Sequence, residues 1–146
     1  MAKFNSKVSK FLIKDTGGTV RDLSAYLTEI SGIPGERELI PWLTIGGSSR
    51  EKIPSVENNG PIRLAGFFDD TATSGPDIVL AALRTYETRT EFNYGPKGST
   101  TGFRRFDGFV FVRRYEVRSI PGELVAFVAE LEVDGAITSD VSAFIT

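Results

Sequence analysis

The chain has 146 residues, 40% of them hydrophobic and 25% charged, with 17 basic against 19 acidic side chains and a formal charge of -2. That is single-domain size (1–146) with enough apolar residues for a core, and its charge balance gives no reason to expect tight phosphate binding. It has neither cysteine nor histidine, which removes disulfides, thiolate nucleophiles, the usual zinc ligands and imidazole acid–base chemistry together.

Met1 to Ser6 is short and polar, a terminus that orders only when something ties it down, and so a candidate arm for a neighbour. No apolar signal core follows in Met1 to Phe11, and no window approaches the roughly 20 apolar residues that span a bilayer. The expectation is a product made in the cytoplasm with no membrane partner. Lys7 to Lys14 reads as a strand closed by the turn residues Asp15-Thr16-Gly17-Gly18. Asp22 to Ser31 carries Leu23, Tyr26, Leu27 and Ile30 at a spacing compatible with a helix, but Tyr, Thr and Ile favour a pleated surface, which predicts a strand. Gly32-Ile33-Pro34-Gly35 breaks it, and Glu36 to Ile45 resumes an extended run in which Pro41 removes a ladder donor and belongs on an edge or at a bulge. Gly46 to Pro61 is polar and rich in turn residues, which predicts a long loop (about 46–61). Loops of that length are uncommon and usually functional or disordered, and the isolated Ile53 and Val56 read as anchors for something outside the domain.

Ile62, Leu64 and Gly66 alternate with Arg63 and Ala65 as a strand leading into the one convincing helix, about 75–86. Ser74 or Gly75 can cap it, Pro76 suits the first helical position, and Asp77 faces the positive end of the dipole. Val79, Ala82, Leu83 and Tyr86 form its apolar face, with Asp77 and Arg84 opposite, so the helix is expected to lie across a sheet. Thr88 to Tyr94 is a further strand, closed by the turn Gly95 to Thr100. Phe103 to Arg118 has Phe109, Phe111, Tyr115 and Val117 on one parity, and Arg113 beside Arg114 suggests a bulge. Leu124 to Val133 places Val125, Phe127, Ala129, Leu131 and Val133 on one face and Glu130 and Glu132 on the other. Gly135 to Thr146, with Ile137, Val141, Phe144 and Ile145, is a third group for an edge or a partner.

None of the polar groupings makes a catalytic set. Asp69 and Asp70 are adjacent, and adjacent side chains on an extended backbone diverge, so turn and cap chemistry suits them better than a shared-proton dyad. The glycine pairs lack a phosphate-loop context, and Ser48, Ser49 and Ser99 have no histidine base. Arg104, Arg105, Arg113, Arg114 and Arg118 with nearby aromatics could meet nucleic acid, but Glu116, Glu130 and Glu132 on neighbouring strands can pair with them instead. No enzyme activity, metal or cofactor is expected.

The order of signals resembles the major tail tube proteins of long, non-contractile phage tails. The resemblance is carried by Ser24-Ala25-Tyr26-Leu27-Thr28, Ile33-Pro34-Gly35 with Glu38-Leu39-Ile40, Gly66-Phe67-Phe68-Asp69-Asp70-Thr71, Gly75-Pro76-Asp77, Tyr94 to Thr100, and Ala129 to Thr138. It implies a mainly β fold, a β-sandwich or partly rolled β-barrel with one flanking helix. It also implies a structural protein that self-assembles into stacked hexameric rings, forming a hollow tube through which DNA passes. The implied partners are copies of itself, other tail proteins and DNA in transient, non-specific passage. The implied location is the virion tail, assembled in the host cytoplasm. In that setting the 46–61 loop, through Ser48, Arg50, Glu51, Lys52, Ile53, Val56 and Glu57, is expected to bridge stacked rings, and Glu130 and Glu132 are expected to face a net negative lumen. The alternative reading is a small β-sandwich module that recognises a glycan or a protein through an aromatic edge.

Overall fold

The computed structural model describes residues 3–146, so Met1 and Ala2 of the expected N-terminal arm lie outside the described residues. After a single 3-10 turn at Ser6–Val8 come β1 (Lys10–Lys14), β2 (Val20–Asp22), β3 (Leu27–Ser31), β4 (Glu36–Trp42), β5 (Glu51–Asn58), β6 (Ile62–Phe67), α1 (Pro76–Thr85), β7 (Thr90–Gly95), β8 (Arg105–Arg118) and β9 (Ala126–Asp140). Seven strands form one antiparallel sheet in the order β2-β1-β7-β8-β9-β6-β3, while β4 and β5 pair only with each other. The large sheet curls into a half-barrel, the partly rolled form of the expected fold.

The curl encloses one apolar face. Phe11, Ile13, Ile62, Leu64, Phe92, Val110, Phe127, Ala129 and Leu131 line it, and Val79, Leu80 and Leu83 of α1 close it. Phe11 stacks on Phe92 and Tyr115 on Phe127, with ring centroids 5.9 and 5.8 Å apart. Gly66 is required on this face, because a side chain there would run into the Tyr26 carbonyl and lie 3.0 Å from the Phe127 ring. The helix starts as its sequence predicts, with Gly75 as N-cap, Pro76 opening the first turn and Asp77 within it. Its buried stripe is Pro76, Val79, Leu80 and Leu83, and Tyr86, at the C-cap, is 73% exposed instead of continuing that stripe.

Four further expectations change. Asp22 to Ser31 is not one strand: Leu23 turns inward and is fully buried, Ser24 Oγ accepts from the Phe11 N–H, and a turn at Leu23–Tyr26 separates β2 from β3. The segment 46–61 is not one long loop, since Glu51–Asn58 is β5, antiparallel to β4, and only about 43–50 turns between them. In β8 the buried parity is Phe106, Gly108, Val110 and Val112, so Phe109 and Phe111 point outward. The register slip between Val112 and Arg114, the expected bulge, then swings Tyr115 back to the core side. Finally, β9 continues unbroken from Ala126 to Asp140, taking in Ile137 of the third apolar group, because its whole length pairs with β8. Beyond it Phe144 is buried against Gly95, where a Cβ would lie 2.7 Å from the Phe144 ring, and the Ile145 N–H donates to Asn93 Oδ1.

Candidate assembly interface

The β4–β5 hairpin is an arm. Every residue of β4 is exposed, as are Ile53 and Val56 of β5. The arm joins the body at Gly35 and Asn59, where a side chain on Gly35 would meet Asn59 Cα at 3.0 Å, and Asn59 Nδ2 donates to the Gly135 carbonyl at 3.5 Å. Arg37 secures the base by pairing with Glu57 at 2.9 Å and donating to the Ser55 carbonyl. Residues opposite one another in an antiparallel pair share a face. Trp42 opposite Glu51 and Ile40 opposite Ile53 therefore make one face, and Pro41 opposite Lys52 and Leu39 opposite Pro54 make the other, before a register slip between Pro54 and Glu57 interrupts the alternation at Val56. Both faces carry apolar side chains that nothing in the chain's own core covers. A two-stranded hairpin alone is at best marginal in water.

Of the contact residues expected on sequence grounds, Glu51, Lys52, Ile53, Val56 and Glu57 lie on β5, and Ser48 and Arg50 lie in the turn at the tip. The structure brings them together with Leu39, Ile40, Trp42 and Leu43 of the extended run 36–45, which the sequence reading did not count among the contact residues. The available signal was symmetry: two extended runs, each interrupted by proline (Pro41, Pro54), flank the Gly46-Gly47 turn.

The second candidate surface is the face of the large sheet turned away from the core. Glu130 and Glu132 alternate there with the buried Ala129 and Leu131, and they are paired. Arg113 at the bulge bonds Glu130 and reaches Glu132 at 3.2 Å, while Arg114 lies 3.7 Å from Glu130 and bonds Glu116. The Arg113 hydrogen bond, ahead of the nearby positive charges, holds the Glu130 carboxyl below its usual range. Further along, Arg89 pairs with Asp134 at 2.5 Å and lies over the Phe109 ring at 3.8 Å. This face is thus a mosaic of ion pairs.

Asp69 makes the turn contacts before the helix. Asp69 Oδ1 accepts from the Thr71 hydroxyl and from the Thr71 N–H at 2.7 Å, shaping the loop before α1. Among the described residues no group of three or more acidic side chains converges as a metal site.

This half-barrel of antiparallel strands closed by one helix is similar in fold to tail tube proteins of phage-like particles. The SPP1 tail tube superposes with a TM-score of 0.74 at 13% identity, covering 99% of this chain and 81% of that one. The tail of an empty gene transfer agent particle, refined with C6 symmetry, gives 0.72 at 17% identity over 94% of this chain and 99% of that one. The sheath–tube complex of an extracellular contractile injection system gives 0.62 at 10% identity, covering 90% and 88%. No protein-family model and no curated protein matches the sequence. At these identities the likeness is one of fold.

Proposed function

We propose that the chain is the protomer of a phage-type tail tube. Six copies close head to tail into a ring, the rings stack into a hollow tube in the virion tail, and DNA passes through it. Assembly takes place in the host cytoplasm, with other tail proteins at the ends of the tube. The observation that carries this reading is the uncovered, two-faced apolar arm on a fold whose solved counterparts include a six-fold tail. Heterologous contacts close into rings when the rotation divides the circle and otherwise continue as filaments. In this reading the arm bridges neighbouring rings, and the ion-paired sheet face with Glu130 and Glu132 lines the lumen. The role is structural, and no catalytic step is assigned.

Electron microscopy of the concentrated purified protein tests the proposal. Six-fold rings or hollow rods are expected. A strictly monomeric protein whose melting temperature rises with a glycan or protein ligand would overturn it in favour of the binding module.

A further inference from the structure

The outer face of the large sheet is covered at one place by the chain itself. Leu12 and Asn93 stand opposite each other in β1 and β7, and strand alternation puts both, with Gly95, on the side away from Phe11 and Phe92. All three are buried, yet none belongs to the main core. The segment 141–146 that follows β9 lies across Asn93 and Gly95. The body reads its main chain at every second residue: the Gly102 N–H donates to the Val141 carbonyl at 2.9 Å, Arg105 donates to the Ala143 carbonyl, and Asn93 Oδ1 accepts from the Ile145 N–H at 3.1 Å. One side chain is taken in, that of Phe144, whereas Val141, Ser142, Ala143 and Thr146 are exposed. The reading groups are themselves held in place. Asn93 is fully buried and its Nδ2 donates to the Phe92 carbonyl at 2.7 Å, while Arg105 lies 3.5 Å from Asp107 and 3.6 Å from Asp140. Bonds to the main chain combined with a pocket for one side chain are how a sheet protein holds an extended peptide, the first giving affinity and the second selectivity.

We propose that the outer face of β7 is a slot for an extended peptide bearing one aromatic residue, and that its resident, the segment 141–146, is a latch that opens as one unit while the sheet stays folded. This goes beyond the tube reading and does not depend on it. The segment adds no strand to the sheet. It is tied to the body by the three bonds just named and one buried ring, far less than the ladders of β7, β8 and β9 would give up on opening. Its departure from β9 is fixed by Asp140, whose Oδ1 accepts from the Val141 and Ser142 N–H groups at 2.6 and 3.1 Å. Selectivity rests on position 144, because Gly95 has no Cβ where the Phe144 ring sits and the remaining contacts are to main-chain atoms that any residue supplies. An open latch bares Asn93, Gly95 and Arg105, groups spaced to meet successive main-chain atoms of a peptide rather than to converge on a sugar or an ion.

Amide hydrogen exchange of the full chain, resolved to single residues, tests the latch. The Gly102 and Ile145 amides are expected to share one protection factor, lower than that of the β7–β8 ladder. Phe144→Ala is expected to speed both by at least about tenfold while the ladder is unchanged, and Val141→Ser, at an exposed side chain, to leave both as they were. Asn93→Leu removes the acceptor of the Ile145 amide alone, so faster exchange at Gly102 as well is expected and reports the segment moving as a unit. A synthetic peptide with the sequence of residues 140–146 and a benzophenone side chain in place of Phe144 probes the slot. With full-length Phe144→Ala it is expected to give photoproducts on the stretch 93–105, suppressed by excess unlabelled peptide. Gly102 and Ile145 amides that exchange only with the ladder, or a Gly102 amide unmoved by Asn93→Leu, overturn the latch. Photoproducts absent from 93–105 overturn the slot. Neither measurement requires rings, so its failure is distinct from failure of the tube reading.

Discussion

At the scale of single residues, Asp15 shows how one carboxylate sets a turn. Its Oδ1 accepts from the Gly17 and Thr19 N–H groups at 2.9 Å each, and its Oδ2 accepts from Arg21 Nε at 3.0 Å. Burial pushes this carboxyl upward, but the Thr19, Arg21 and Gly17 hydrogen bonds outweigh it, and the net shift is downward. A carboxylate with a depressed folded pKa stabilises the fold above its unfolded value, about 3.9. That contribution is lost as pH falls through the lower folded value. Asp15→Asn is therefore expected to lower the urea midpoint at neutral pH and to match the parent in strong acid. A constant difference across the whole pH range would show that the effect is not titration of this group. The turn was legible because Asp-Thr-Gly-Gly is local chemistry. Tyr115 is the contrary case: its hydroxyl donates to Asp77 of α1 at 2.9 Å, and burial, then Asp77, drives its pKa upward. No local pattern announces a bond between residues 38 apart.

At the scale of elements, the helix and the long strands were readable, whereas the arm was not. Periodicity finds α1, β6 and β9 because each has one face in the core, so burial and polarity alternate at the element's own period. β5 has no such face, and Glu51, Lys52, Pro54, Ser55 and Glu57 look like loop residues even though they pair with β4. β8 misled for another reason: Phe109 and Phe111 are apolar on its outward face, and the bulge at Arg113 changes parity midway. The arm's independence from the core makes it removable. Since Gly35 and Asn59 already touch, replacing residues 36–58 by a short Gly-Ser linker is expected to leave the melting of the seven-stranded body nearly unchanged and to abolish tubes. Ile53→Asp should act in the same direction more mildly, since burying an unpaired charge costs at least about 1–3 kcal/mol per contact and so raises the assembly threshold about tenfold. Sedimentation of assembled material against concentration measures both variants, and full-length tubes from the linker variant would remove the arm from assembly.

At the scale of the whole molecule, the large sheet separates two tasks: its inner face folds the chain and its outer face meets what lies outside. A DNA-conducting wall works best when it offers phosphate few unpaired cations, because each neutralised phosphate adds affinity that rises steeply as salt falls. On the outer face Arg113 and Arg114 are held by Glu130, Glu132 and Glu116, so under the proposed tube a phosphate would have to displace a carboxylate to bind them. An ion-paired mosaic can thus serve the purpose that the sequence assigned to a net negative wall. Glu130→Lys combined with Glu132→Lys would remove two carboxylates, release Arg113, and add two further cations, repeated in every protomer of every ring. Both side chains lie on the solvent side of β9, away from Phe127, Ala129 and Leu131, so the protomer is expected to fold and form rings. Genome ejection from such particles is expected to slow, with a delay that shrinks as salt is raised. Arg113→Glu, which adds no cation, should produce no delay and separates phosphate binding from simple disturbance of the face. Unchanged ejection from intact doubly substituted tubes, or a tube structure with both glutamates on its exterior, would take the lumen away from this face.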